Sequence, residues 1–419
     1  MNELTAKVTA LAAAAKKAAR KVALAPSAVR DRALRAAAAA LRRDESAILA
    51  ANAEDLAAAR SKGLAEAMVD RLRLDPGRLE AVAAACEAVA GLPDPVGEVI
   101  EQWSRPNGLR IVKRRVPIGL VAIIFESRPN VTVDAAALCL KSGNGCVLRG
   151  GSEALRTNLA LAASFAAGLR EAGLPGEAVT LLPFTDREAV PALGSLRGVV
   201  DVIVPRGGPG LIEAVSASAR MPVIKHDAGV CHVYVHAAAD LAKALPIIVN
   251  AKCQRPSACN AAETVLVDAA VAPDLLPRLA RELAARRTEV RACPRALALM
   301  PGATAATEQD FRTEHLSLVL NVKVVAGLDE AVDHVESLGS HHSDAILTED
   351  AEAARAFLAQ VDSACVYWNA STRFTDGGEF GFGAEVGIST ERLHARGPMG
   401  LRELTTWKFE VSGDGQVRA

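Results

Sequence analysis

The chain has 419 residues, half of them apolar, only 3% aromatic, and a formal net charge of −1. This length predicts two or three domains with large cores, and the near-neutral charge argues against a nucleic-acid partner. Eight cysteines without any CxxC spacing argue against a zinc site or a disulfide framework and fit a reducing cytoplasm. Because every long apolar run is interrupted by charge, we expect neither a signal peptide nor a membrane span. Without metal-ligand spacing, we also expect no metal site.

The residue pattern of the first half of the chain changes twice. Residues 1 to about 103 are rich in Ala, Leu, Arg and Glu at helical spacing, which predicts a helical array. Residues 109–116 alternate apolar and charged side chains, as an exposed or partner-facing strand does. Short apolar strands then alternate with helical segments, which is typical of βαβ units in a parallel sheet. The predicted strands are residues 120–125, 146–148, 179–182 and 199–204.

A second series of predicted strands lies beyond the middle of the chain. It comprises residues 264–267, 316–325, 345–347 and 364–367. The last residues, 401–419, are polar and strand-like. The sequence therefore predicts an α/β protein with two sheets and a further strand at its end.

Two glycine-bearing turns end strands of the first sheet. Glycine allows a ligand to approach the backbone closely, and a following helix offers free N–H groups to phosphate. Neither turn is a GxGxxG fingerprint, so an ordinary strand–helix loop remains the alternative for each. The two turns contain Arg149, Gly150, Gly151, Ser152 and Glu153, and Arg206, Gly207 and Gly208.

Asn130 follows the predicted strand 120–125 and precedes an apolar helical segment. Ligands of open α/β sheets bind outside the carboxyl ends of the strands, where a side-chain amide can donate to a developing oxyanion. A helix cap or turn residue is the alternative role for Asn130.

A polar segment, residues 250–260, carries two thiols and runs into the predicted strand 264–267. A cysteine at the end of a loop, against a strand, is a candidate covalent catalyst, because a thiolate is a strong nucleophile near neutral pH. Cys253 and Cys259 are the two candidates.

Several segments together resemble the gamma-glutamyl phosphate reductases, or glutamate-5-semialdehyde dehydrogenases, of the aldehyde dehydrogenase superfamily. The most specific is Gly383-Ala384-Glu385-Val386-Gly387-Ile388-Ser389-Thr390 with Leu393 to Leu401. The others are Ser127 to Thr132, Ser142-Gly143-Asn144 leading to Gly151, Pro205 to Gly208, and Gln254 to Asn260.

The resemblance implies an aldehyde dehydrogenase-like α/β fold with three parts. A Rossmann-like NADP(H)-binding domain would comprise residues 1–105 and 117–247, and a catalytic domain residues 248–392. Residues 106–116 with 400–419 would form an oligomerisation flap that pairs across subunits of a homo-oligomer.

The resemblance also implies the reaction: L-glutamate 5-phosphate is reduced by NADPH to glutamate 5-semialdehyde with release of phosphate, the second step of proline biosynthesis. Cys259 would be the nucleophile that forms a thioester, with Cys253 a packing residue, and Asn130 and the Cys259 N–H would stabilise the oxyanion. A separate glutamate 5-kinase would supply the acyl phosphate, and transient contact between the two enzymes is left open.

Further residues take roles from the same resemblance. The two glycine turns would bind NADPH, with Arg149 near the 2′-phosphate, and Glu314 would hold the nicotinamide ribose, although it could equally be an exposed strand-opening glutamate. The substrate phosphate needs cations, and we expect at least one of three arginines of the signature loops to contact it. These are Arg128, Arg255 and Arg396.

One departure from the wider superfamily bears on the mechanism. Hydrolytic aldehyde dehydrogenases carry a glutamate base ahead of the cysteine, where this chain has Lys225-His226-Asp227-Ala228-Gly229. A reaction that releases phosphate needs no activated water, although His226 or Asp227 could serve as a weaker base, and His226 could equally be structural. A hydrolytic dehydrogenase for another aldehyde and a non-catalytic binding subunit remain the competing functions.

Overall fold

The computed structural model describes residues 2–126, 128–225 and 228–418. Its internal contacts divide the chain into two compact units. Unit 1 comprises Met1–Lys225, Gly381–Gly387 and Met399–Ala419, and unit 2 comprises His226–Phe380 and Ile388–Pro398.

Unit 1 begins with the predicted helical array. Asn2 caps the first helix by accepting a hydrogen bond from the Thr5 N–H, and Asp75 caps the fifth by accepting one from Arg78 N–H, with Pro76 in its first turn. The helices are α1 Glu3–Leu24, α2 Ser27–Arg43, α3 Glu45–Ser61, α4 Glu66–Leu72 and α5 Pro76–Gly91.

The core of unit 1 is a parallel sheet of four strands in the order β5-β4-β3-β6. It contains β3 Leu120–Phe125, β4 Gly145–Arg149, β5 Val179–Leu181 and β6 Val202–Arg206. All residues of β3 and β4 are buried because helices cover the sheet, and their continuous apolar runs reflect this. The connecting helices are α6 Asn130–Lys141, α7 Leu155–Glu171, α8 Ala189–Gly194 and α9 Pro209–Ser218.

A second sheet of unit 1 has three antiparallel strands in the order β1-β2-β16. They are β1 Val99–Ser104, β2 Arg110–Pro117 and β16 Thr405–Ser412. The predicted extent of the helical array was therefore wrong at its end, because residues 99–104 form a strand whose side chains are mostly exposed. The two segments assigned to a flap pair with each other within one chain, from Arg110 opposite Ser412 to Pro117 opposite Thr405.

Unit 2 is built on a parallel sheet of seven strands in the order β10-β9-β11-β8-β7-β12-β13. The strands are β7 Cys231–Val235, β8 Ala262–Asp268, β9 Glu289–Ala292, β10 Thr304–Ala305, β11 Val319–Val325, β12 Ser343–Leu347 and β13 Cys365–Trp368. A two-stranded ribbon, β14 Ile388–Ser389 with β15 Gly397–Pro398, completes this unit.

Five helices flank the seven-stranded sheet. They are α10 Leu241–Cys253, α11 Ala272–Ala285, α12 Pro294–Leu297, α13 Leu328–Leu338 and α14 Ala351–Gln360. Asp240 caps α10 and Asp350 caps α14, each by accepting backbone N–H groups of the first turn. Residues 228–247 belong to unit 2, whereas the sequence assigned them to the cofactor domain, because β7 is an interior strand of this sheet. The functional assignment of the three regions stays a prediction.

Candidate active site

Cys259 lies in the loop that joins α10 to β8, just before the first residue of this interior strand of the seven-stranded sheet. A fully buried ion pair ties the two ends of this loop together, because Lys252 Nζ lies 2.6 Å from Glu263 Oε2. Glu263 also accepts a hydrogen bond from the Leu316 N–H at 3.3 Å. Burial raises the pKa of Glu263 and lowers that of Lys252, so each charge is stabilised mainly by the other. The two ends of the nucleophile loop are thus joined by a buried contact in which each charge depends on the other.

Cys231 and Gly229 both contact the backbone carbonyl of Cys259. Cys231 Sγ donates to the Cys259 carbonyl oxygen at 3.3 Å. A Cβ atom at Gly229 would lie 1.9 Å from that same oxygen, so this position requires glycine. The Gly229 N–H donates to the Glu314 carboxylate, whose pKa is raised by burial. Glu314, the predicted ribose contact, is therefore connected to the nucleophile through one glycine.

The second thiol of the segment points elsewhere. Cys253 is the last residue of α10 and packs against the apolar core of unit 2. Its Sγ lies 3.5 Å from Thr288 Oγ1. This placement agrees with a packing residue, while the assignment of Cys259 as the nucleophile stays a prediction.

Asn130 is the first residue of α6, yet its side chain does not cap the helix. Instead its Nδ2 donates to Asp134 Oδ2 at 2.8 Å, one helical turn further on. Burial raises the pKa of Asp134 to about 6, although the hydrogen bond from Asn130 and the charge of Arg206 both oppose the shift. Asp134 therefore fixes the orientation of the amide that the sequence singled out.

A cavity of about 460 Å³ in unit 1 has in its lining Asn130, two carboxylates and three arginines, which are Asp70, Asp134, Arg71, Arg73 and Arg78. Arg78 lies 3.1 Å from Asp70 Oδ1, and Arg73 is 3.9 Å from the same oxygen. Arg71 makes no ion pair within the residues that the structure describes. The cavity thus combines a fixed amide donor with excess positive charge, which suits a carboxylate or a phosphate.

The first glycine turn joins β4 to a short 3₁₀ turn and α7. A Cβ at Gly150 would lie 2.2 Å from Asn158 Nδ2, and one at Gly151 would lie 2.2 Å from the Glu153 carboxylate. Arg149 is buried, and its Nη2 donates to the Thr185 carbonyl at 3.0 Å. Burial lowers the pKa of this guanidinium, and its Nε has no hydrogen-bond partner in the described part of the chain. A buried, incompletely satisfied cation beside a glycine turn fits an anionic ligand.

The second glycine turn joins β6 to α9. The Gly208 N–H donates to Glu126 Oε2 at 3.0 Å, so a carboxylate already occupies this helix start. A Cβ at Gly207 would lie 2.5 Å from the same oxygen. Arg206 packs against Gly387, where a Cβ would lie 2.8 Å from its Nη1.

The three arginines assigned to the substrate differ in their surroundings. Arg128 and Arg255 are exposed, and Arg255 lies in the nucleophile loop itself. Arg396 Nη1 lies 2.7 Å from Asp362 Oδ1, so its charge is already paired. Ser127, His226 and Asp227, named in the sequence motifs, lie outside the described residues.

The described residues contain neither a metal-binding cluster nor a membrane-spanning helix. Across residues 2–126, 128–225 and 228–418, no cluster of three or more His, Cys, Asp or Glu side chains is placed to hold a metal ion. Over the same ranges, no helix is both long and apolar enough to cross a membrane.

Two residues of the site were missed by the sequence analysis. Asp134 is four positions after Asn130, a spacing that brings two side chains together on a helix, so the signal was present. Arg373 contacts the nucleophile loop from 113 positions away, and nothing local in the sequence indicates this.

Comparison with known proteins adds an independent result. A family model described as "Aldehyde dehydrogenase family" matches residues 2–296. A gamma-glutamyl phosphate reductase of Methylobacterium sp. (strain 4-46) is 55% identical over 405 residues, covering 96% of this chain and 94% of that protein. The chain belongs to the gamma-glutamyl phosphate reductases of the aldehyde dehydrogenase family.

Solved structures agree with this family assignment. A crystal structure of gamma-glutamyl phosphate reductase from Thermotoga maritima superposes with a TM-score of 0.97 at 46% identity, covering 98% of this chain and 100% of that one. An engineered glycolyl-CoA reductase with bound NADP⁺ is 17% identical, covers 96% of each chain and has a TM-score of 0.66, which supports the shared fold alone. The aldehyde dehydrogenase model match includes Asn130, both glycine turns and Cys259, whereas Glu314 and Arg396 lie beyond it.

Proposed function

We propose that this protein reduces L-glutamate 5-phosphate to L-glutamate 5-semialdehyde with NADPH and releases phosphate, as the second step of proline biosynthesis from glutamate. The observation that carries the proposal is the clamped loop of Cys259 in a chain that is 55% identical, over 96% of its length, to a gamma-glutamyl phosphate reductase. An acyl phosphate is an activated electrophile, and a thiol is the side chain best suited to displace phosphate from it.

In the proposed mechanism the Cys259 thiolate attacks the acyl carbon, and the bond between that carbon and the phosphate oxygen breaks. The product is a thioester, which accepts hydride far more readily than a carboxylate does. NADPH, when bound, supplies this hydride to the acyl carbon. The resulting hemithioacetal oxyanion then expels the thiolate and forms the aldehyde, so that Cys259 is regenerated.

Asn130 is proposed to stabilise the oxyanion of each tetrahedral state by donating from its amide. Asp134 supports this role, because it accepts one amide hydrogen and leaves the other to donate. The N–H of Cys259 is proposed as a second donor. Loss of one such donor typically lowers turnover by a factor of about 10² to 10³.

For the cofactor we propose the first glycine turn, residues 149–153, together with Arg206, Gly207, Gly208 and Glu314. Support comes from the close approaches that a Cβ would make at Gly150, Gly151 and Gly207, and from the buried guanidinium of Arg149. A cation near the adenosine ribose would favour a 2′-phosphate and therefore NADPH over NADH.

For the substrate anions we propose Arg128, Arg255 and Arg396 as phosphate contacts, of which Arg255 has the strongest support. It lies in the nucleophile loop and, within the described residues, makes no ion pair, whereas Arg396 is already paired with Asp362. The arginine-lined cavity at Asn130 is the candidate for a second anionic group.

We further propose that the protein is a cytoplasmic homo-oligomer whose three-stranded sheet, β1-β2-β16, pairs with a partner subunit. Trp407, Phe409 and Val411 alternate along β16 and are each about half exposed, an apolar strip at the edge of a sheet. Phe409→Glu should lower the mass measured by light scattering, whereas Lys408→Glu, on the opposite face, should leave it unchanged. A separate glutamate 5-kinase would supply the acyl phosphate.

The reverse reaction tests the function. Wild-type protein with glutamate semialdehyde should reduce NADP⁺ only when phosphate is present, because phosphate must release the acyl group from the enzyme. Cys259→Ala should abolish this turnover and Cys253→Ala should retain it. Turnover without phosphate would indicate a hydrolytic dehydrogenase, and full activity of Cys259→Ala would refute the proposed nucleophile.

A further inference from the structure

Arg373 anchors itself to both ends of the nucleophile loop. It lies in a 3₁₀ turn, Thr372–Phe374, that follows β13. Its Nε donates to Gln254 Oε1 at 2.9 Å, and its Nη1 donates to Asn260 Oδ1. The guanidinium therefore spans the segment in which Cys259 lies.

Asn260, the acceptor next to Cys259, is itself held by hydrogen bonds. Asn260 is 4% exposed, and its Nδ2 donates to the Thr375 carbonyl at 2.8 Å. The Thr372 hydroxyl donates to the Asn260 carbonyl at 2.7 Å. Because the turn that carries Arg373 also fixes Asn260, the guanidinium is held against the residue that follows Cys259.

The charge of Arg373 has no carboxylate partner. Within residues 2–126, 128–225 and 228–418 it forms no ion pair, and its two side-chain acceptors, on Gln254 and Asn260, are neutral amides. Burial lowers its pKa, as does the neighbouring charge of Arg255, whereas Cys259 acts in the opposite direction. Asp376 and Cys231 act on Arg373 in the same direction as Cys259 and no more strongly than it does, so the thiolate of Cys259 is the first of the three anionic groups near this guanidinium.

We propose that Arg373 is the fixed cation that holds Cys259 as a thiolate. The inference deepens the proposed function and rests on it for the identity of the nucleophile. An electrostatic interaction is mutual, so a cation that is stabilised by the thiolate also stabilises the thiolate. No general base is then needed: the thiolate attacks the acyl carbon directly, and the electrons of the broken bond leave with the phosphate.

Arg255 and Arg373 differ in what they can do. Arg255 is exposed and is free, within the described part of the chain, to follow the departing phosphate. Arg373 is half-buried and held by two side chains, so it cannot follow a leaving group and acts on the thiol instead. This division predicts different kinetic signatures for the two arginines.

The test measures the alkylation of Cys259 by iodoacetamide between pH 5 and 10, with the modified cysteine identified by peptide mass. Arg373→Gln should raise the apparent pKa of the thiol, and alkylation at pH 7 should slow by about tenfold for each unit by which that pKa rises above 7. At high pH the variant should recover the wild-type rate, which a merely disordered loop would not do. Arg373→Lys should restore part of the reactivity at pH 7.

Arg392→Gln, which removes an exposed charge from the same unit, is the matched control and should leave the alkylation profile unchanged. Arg255→Gln should raise the KM for phosphate with a smaller change in the alkylation profile. An unchanged alkylation profile in Arg373→Gln would overturn the proposal.

If Arg373→Gln does not fold, Gln254→Leu tests the same point, because it removes one anchor of Arg373 and keeps the charge. The apparent pKa of the thiol should then shift less, in the same direction, and no shift would again overturn the proposal. Alkylation needs neither substrate nor cofactor, so this result is separate from a failure of phosphate-dependent turnover.

Discussion

Replacing Asp134 with asparagine should make the protein more stable and less active. The carboxylate of Asp134 is enclosed beside Asn130, and burial raises its pKa from the ordinary value of 3.8 to about 6. A rise of this size corresponds to about 3 kcal/mol of stability lost when the buried group ionises. Asparagine keeps the shape and an acceptor oxygen for the Asn130 amide, and it removes the charge that is costly to bury.

The sign of the pH dependence follows from the direction of the shift. The folded state binds the proton more tightly than the unfolded state, so stability from this group is present at low pH and is lost as pH rises through the pKa of about 6. The difference in unfolding free energy between Asp134→Asn and wild type should therefore grow by roughly 1.5 kcal/mol between pH 5 and pH 8. Taking the difference cancels the titration of all other groups.

The assay is urea-induced unfolding followed by tryptophan fluorescence at both pH values, with kcat measured on the same samples. The neutral acceptor orients Asn130 less firmly than a carboxylate does. A loss of about 1 kcal/mol of transition-state stabilisation predicts roughly a fivefold lower kcat, with an unchanged KM for NADP⁺. Asp274→Asn, at an exposed aspartate, controls for the change in net charge. A variant less stable than wild type at pH 8, or a difference that does not change with pH, would refute the reasoning.

Two further substitutions test the scaffold of the nucleophile. Lys252→Met leaves a buried carboxylate without its partner and should cost about 3 to 5 kcal/mol of unfolding free energy, whereas Lys243→Met, at an exposed ion pair, should cost less than about 1 kcal/mol. Equal losses of unfolding free energy in these two variants, measured by urea unfolding, would show that burial of the ion pair does not matter. Gly229→Ala places a methyl group 1.9 Å from the Cys259 carbonyl oxygen and should lower kcat about 100-fold by moving the nucleophile. Gly91→Ala, where a Cβ meets no atom within 4 Å, should keep full activity.

The sequence predicted the buried strands far better than the exposed ones. Residues 120–125 were predicted with the bounds that the structure shows, because an uninterrupted apolar run can be buried on both faces of a parallel sheet. Residues 99–104 were missed, because their side chains are mostly exposed and carry no periodic signal after a long helical segment. The order of strands within each sheet depends on tertiary packing and has no local signature.

The candidate site divides in the same way. Cys259 and Asn130 stand out because each belongs to a short motif next to a strand, Cys259 before β8 and Asn130 after β3. Arg373 does not, because its contact with Asn260 bridges 113 positions and forms only when β13 joins the sheet. The cation most closely connected to the nucleophile was therefore invisible until the chain was folded.

The central claim, a thioester on Cys259 that only phosphate releases, is tested most directly by a single-turnover experiment. Enzyme mixed with glutamate semialdehyde and NADP⁺, without phosphate, should form NADPH in a burst of about one equivalent per subunit and then stop. The peptide containing Cys259 should carry one glutamyl acyl group, and added phosphate should remove it and start steady turnover. Continuous NADPH formation without phosphate, or an acyl group on another residue, would contradict the account.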